Sequence, residues 1–165
     1  MRRDSRDRGF TLIELLIVVT IIGIIVAISI FNLLNAIERA RQRRTMGDMR
    51  TLALAIEAYS TDKNRYPPAA AFTLPSGLTI PTKTLGITRD YLTPTYIKIV
   101  PMVDGWASWF NYDVSTGGTD YIIRSCGRDG LPESSPSFGL TTNFNADIIF
   151  TNGVFVQYPD SVQNQ

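Results

Sequence analysis

"RDRGFTLIELLIVVTIIGIIVAISIF", Arg6 to Phe31, decides how the rest of the chain is read. A basic flank and a glycine lead into a run of apolar and small residues, with one carboxylate, Glu14, near its start. From Leu15 to Leu34 there are twenty residues without a formal charge. At about 1.5 Å per residue such a helix spans roughly 30 Å, one hydrocarbon thickness. A cleaved signal peptide would need a basic start, a short apolar core and a small-x-small cleavage site. Arg2, Arg3, Arg6 and Arg8 supply the start, but the core is too long, contains Glu14 and leads to no clean cleavage site. A plain membrane anchor explains the length. It leaves Glu14 as a cost of about 2.5–3.5 kcal/mol at the bilayer centre, and less near the end where it stands.

Composition narrows the rest. The chain has 165 residues, enough for one domain plus an accessory segment. With 44% hydrophobic and 19% charged residues it is not a disordered chain. A net charge of +1 gives no general pull toward nucleic acid. The absence of histidine excludes histidine acid–base catalysis and the usual zinc and haem ligand sets. There is no GxxxxGK[ST] loop for nucleotide, and no grouping of nucleophile, base and orienting residue, so a non-enzyme is expected. The single cysteine, Cys126, cannot form an internal disulfide. An exported domain of this kind must be held by its core, by a bound ion or by assembly.

The helical pattern continues past the apolar run. No proline occurs from Asn35 to Ser60, and Met46, Met49, Leu52, Ala53, Ile56 and Tyr59 recur at spacings of three or four. That is the stripe of an amphipathic helix packed on a domain. One helix over about 11–61 is expected, roughly 75 Å long. Glu38 to Thr45 is polar nearly all round and rich in arginine, read as a solvated face or a contact with acidic neighbours or anionic headgroups. "TDKNRYPP" (61–68) ends the helix through Asp62, Asn64 and Pro67-Pro68. Residues 69–95 form a long proline-containing connection with one short helix near "TRDYL". Beyond it the chain reads as β. "YIKIV" (96–100) is a candidate edge strand, "SWFNYDV" and "DYIIRS" flank the turn "STGG", and "DIIFT" and "VFVQY" flank Asn152-Gly153. The expected fold is α+β: a long N-terminal helix with a small C-terminal antiparallel sheet of four strands packed on its second half. Trp106 and Trp109 are expected to be packing anchors.

"RGFTLIELLIVVTIIGIIVAI" resembles the processing and assembly segment of type IV pilins and type II secretion pseudopilins. In that superfamily a prepilin peptidase cuts after the leader glycine and methylates the new N-terminal residue, and a glutamate stands at the fifth mature position. Gly9, Phe10 and Glu14 occupy those positions. The resemblance implies a leader over 1–9, a transmembrane and assembly helix over 10–34, and a periplasmic pilin-like domain over 35–165. Phe31 stands where many members have a proline. Physics supports the pattern. The amine created at Phe10 would be an unpaired charge in a dry helix core, and Glu14 of a neighbouring copy can neutralise it. "DKNRYP", "IVPMVDGWASWFNYDV" and "SCGRDG" followed by "ADI" are similar to stretches of the major pseudopilins of type II secretion.

That likeness implies a filament subunit of the bacterial inner membrane that polymerises with itself and drives protein secretion. Its implied partners are the prepilin peptidase, an inner-membrane assembly platform and minor pseudopilins. It also implies calcium, with Asp129 and Asp147 as side-chain ligands, the Cys126 carbonyl facing the ion and Glu133 as a possible substitute. Against that stands a plainer reading of Asp129-Gly130 as a turn. A type IV major pilin forming a surface fibre, and a tethered binding module, are the alternatives to a secretion pseudopilin.

Overall fold

The computed structural model describes residues 9–69 and 86–160. Residues 1–8 of the expected leader and most of the proline-rich connection lie outside them. The chain divides into two compact units between Glu38 and Arg39, a boundary inside helix α1, Leu12–Lys63. Thr11 starts the helix. Its hydroxyl oxygen accepts the Glu14 N–H at 3.3 Å, and its carbonyl accepts the Leu15 N–H at 3.2 Å. "TLIE" is thus the first half of a capping box, Ser/Thr followed three residues later by Glu.

In the first unit, α1 is long and apolar enough to cross a membrane. No part of the apolar run is buried within the chain. Its hydroxyls turn inward on their own helix: Thr20 donates to the Leu16 carbonyl and Ser29 to that of Ile25. A side-chain donor in an apolar span needs such an acceptor.

In the second unit the expected stripe is the core. Met49, Leu52, Ala53, Ile56 and Tyr59 are buried and Met46 is half-buried. Burying each large apolar side chain contributes about 1.5–3 kcal/mol. The helix ends at Lys63, where Asn64 takes a left-handed φ of 52°, a conformation asparagine tolerates at a helix exit. Helix α2, Gly86–Leu92, is the short helix expected near "TRDYL".

Among the described residues five strands follow: β1 Asn111–Val114, β2 Tyr121–Ser125, β3 Gly139–Thr141, β4 Ile148–Thr151 and β5 Val154–Pro159. Their order in the sheet is β1-β2-β4-β5-β3. Two sequence expectations need correction. The sheet is mixed, because β3 pairs parallel to β5, and it has a strand inside what reads as loop. Residues 96–100 are not a strand: the Tyr96 and Ile97 N–H groups donate to the Leu92 carbonyl, which ties them to the end of α2.

The register sorts the sheet into two faces. Tyr112, Ile123, Phe150 and Phe155 are successive cross-strand partners and pack with the helix stripe. Asn111, Arg124, Ile149, Gln157 and Gly139 form the next row. Side chains alternate along a strand, so this second row lies on the face away from the helix. A bulge between Ile149 and Phe150 keeps both rows in step with β5. Trp106 packs at the core margin, whereas Trp109, expected to be an anchor, is 55% exposed.

Candidate functional site

The N-terminal residues carry the first site. Gly9 has no neighbouring heavy atom within 4 Å of where a Cβ would be, and Phe10 is 72% exposed. Both stand ahead of a capped helix, Phe10 exposed and Gly9 with open space where a side chain would be. Glu14 sits in the first turn, where the partial positive charge of the helix end favours a carboxylate by about 0.3–1 kcal/mol. Its backbone N–H is used by Thr11. Reading Glu14 only as a charge misses Thr11. The signal was present in the sequence, since Thr11 and Glu14 have capping-box spacing.

The residues carried over for calcium are separated in role. Asp129 is exposed, and its Oδ1 accepts the Leu131 N–H at 3.0 Å. Gly130 follows at φ 66°, so "RDG" is built as a turn. Asp147 is fully buried and lies 3.3 Å from Nη1 of Arg124, itself 1% exposed. Asp147 Oδ2 also accepts the Glu133 N–H at 3.1 Å. The Glu133 side chain is engaged elsewhere: its Oε2 accepts from Gln157 Nε2 at 2.8 Å. Cys126 is buried, with its Sγ 3.4 Å from Asn111 Nδ2. Among the described residues no three His, Cys, Asp or Glu side chains are grouped to hold a metal ion. Calcium takes six to eight oxygens. As placed, these residues do not make that shell, and the buried carboxylate already faces a guanidinium.

The electrostatics follow the burial. Asp147 is pushed up to about 6 by loss of water, against the pull of the Glu133 N–H and the Arg124 charge. Its charged form therefore depends on the Glu133 N–H and the Arg124 guanidinium beside it. Burial pushes the Cys126 thiol up as well, only partly offset by Arg124. A buried thiol held protonated is a poor nucleophile.

A second cluster fixes the stretch before β1. Asp104 is buried; its Oδ1 accepts the Trp106 and Ser108 N–H groups, and its Oδ2 accepts the Ser125 hydroxyl at 2.6 Å. The Gly105 N–H donates to Thr45 on α1 at 2.9 Å. "VDGWAS" is thus a structural loop clamped between the helix and β2.

Comparison with known proteins matches both halves of this arrangement. Residues 4–30 match the prokaryotic N-terminal methylation motif, and residues 32–141 match type II secretion system protein G. The chain is 32% identical over 149 residues to a type II secretion system core protein G of Pectobacterium carotovorum, spanning 86% of this chain and 87% of that protein. It is 32% identical to that of Klebsiella pneumoniae over 144 residues, 84% of this chain and 96% of the relative. The core protein G of Vibrio cholerae is 33% identical over 131 residues, 79% of this chain and 86% of its own. With the methylation motif at its start and the protein G pattern over most of its length, this chain belongs to the type II secretion system protein G family.

Proposed function

We propose that this protein is a pseudopilin, the repeating subunit of a type II secretion pseudopilus. It enters the inner membrane through the apolar half of α1, with the second unit in the periplasm. A prepilin peptidase cuts after Gly9 and methylates the amine of Phe10. The subunit then polymerises with copies of itself on an inner-membrane platform, joined by minor pseudopilins, and the growing filament drives secretion. Its role is structural, and it is the substrate of an enzyme rather than one itself. The observation that carries this reading is the junction of a methylation motif over 4–30 with a protein G pattern over 32–141. The uncovered apolar helix adds a physical reason. An exposed run of this length is stable only in lipid or against other helices.

Two measurements test it. Mass analysis of the protein from its own cells should find a chain beginning at N-methylated Phe10; one that retains Met1–Gly9 refutes the processing. Deletion of the gene should abolish secretion and leave surface fibres unchanged. Loss of fibres with secretion intact would assign the chain to a surface pilus instead.

A further inference from the structure

The outward face of the sheet carries a buried arginine. By strand alternation Arg124 points away from the helix, where an arginine ordinarily meets water, yet it is 1% exposed. Its partner Asp147 comes from the far end of the excursion between β2 and β4, residues 126–147. The excursion is tied to the same point a second time. Glu133, in its middle, donates its N–H to Asp147 and accepts from Gln157 with its carboxylate. Gln157 lies in the same cross-strand row as Arg124, two strands away. One guanidinium, two carboxylates and an amide therefore link β2, the excursion and β5. The excursion also carries β3, which closes the sheet along β5. The pair is held by charge rather than by an aligned hydrogen bond: Arg124 Nε and Nη1 and Asp147 Oδ1 have no hydrogen-bond partner among the described residues. A carboxylate this deeply buried needs a positive charge beside it to stay ionised.

We infer that Arg124 is the resident cation of this loop: its guanidinium fixes residues 126–147 on the sheet through Asp147, in the role a bound calcium ion would fill, and the domain folds without that ion. A dication bound to Asp147 would lie within a few ångströms of the guanidinium, and two like charges in a dry site repel strongly. With no disulfide available to Cys126, the ion pair is a staple on this excursion that the chain carries with it. The inference stands apart from the secretion role, since any folded copy of the domain would show it.

The test uses the full-length chain in detergent, with thermal unfolding followed by the fluorescence of Trp106 and Trp109. The wild-type midpoint is expected to be the same in millimolar calcium and in chelator. Arg124→Met keeps bulk, removes the charge and should lower the midpoint by roughly 10 °C, because Asp147 is left buried and unpaired. Adding Asp147→Leu to that variant should recover most of the loss, as removing both members of a buried pair is close to neutral. A saturable rise of the wild-type midpoint with calcium, abolished by Asp147→Asn, would overturn the inference. An Arg124→Met protein as stable as wild type would do the same. If the single variant does not fold, the wild-type titration and the double variant decide: a double variant that also fails to fold counts against the pair.

Discussion

At Gly105 the loop before β1 touches helix α1 with no space for a side chain. A Cβ there would press on the carbonyl oxygen of Arg41 and come within 2.9 Å of its Cα, both backbone atoms of the helix. Nothing flexible can move aside. Gly105→Ala is expected to cost about 1–3 kcal/mol, read as a lower urea midpoint with an unchanged m-value. The neighbouring Asp104 would be disturbed with it, since its carboxylate holds both sides of the same loop. In the sequence Asp104-Gly105 is legible only as a turn-like dipeptide. Its meeting with Arg41, more than sixty positions earlier, is a tertiary fact that no local pattern encodes. Arg124 was illegible for a related reason. A lone charge inside an alternating strand reads as the wet face, and its partner lies across a long excursion.

Among the elements, the β4–β5 hairpin has the clearest sequence signal and a wider role than that signal suggests. Asn152 and Gly153 take φ of 44° and 89°, the left-handed pair that a tight two-residue turn requires. The Asn152 side chain then reaches the neighbouring hairpin. Its Oδ1 accepts the Tyr121 N–H at 3.1 Å and its Nδ2 donates to Asp120 at 2.8 Å. Hydrogen bonds from Thr119 and Asn152 hold the Asp120 carboxyl below its ordinary value of 3.8. A depressed carboxyl contributes stability above its ordinary value, and that contribution fades as pH falls through the folded one. Asn152→Ala should therefore lower stability at neutral pH, read as a lower unfolding midpoint, because it removes both hydrogen bonds and puts alanine at a positive φ. Its further loss on acidification below about pH 4 should be shallower than in wild type, as unfolding curves across that range will show. Both hairpins were legible because their turns announce them. The strand β3 was not: three residues long and paired in parallel, it has no turn beside it to mark the pairing. "YIKIV" misled because it alternates like a strand while its amides are used by the end of α2.

For the whole molecule, the residues of the N-terminal methylation motif lie within one short stretch, which is why that motif was legible directly in the sequence. Glu14→Ala is expected to leave membrane insertion and cleavage after Gly9 intact and to abolish filaments. Mass analysis of the N-terminus and cross-linking of neighbouring subunits measure the two separately. Normal filaments from that variant would refute pairing between Glu14 and a neighbour's amine. The strand order, in turn, sets a clock on folding. β5 lies between β4 and β3, so Gly139–Thr141 is made before the strand it must pair with. The two hairpins can close as they emerge, while the parallel pair waits for Val154–Pro159 and closes as a late, long-range step. The last described strand is thus the latch of the sheet, and a chain stopped short of it would present an open edge to every neighbour it met.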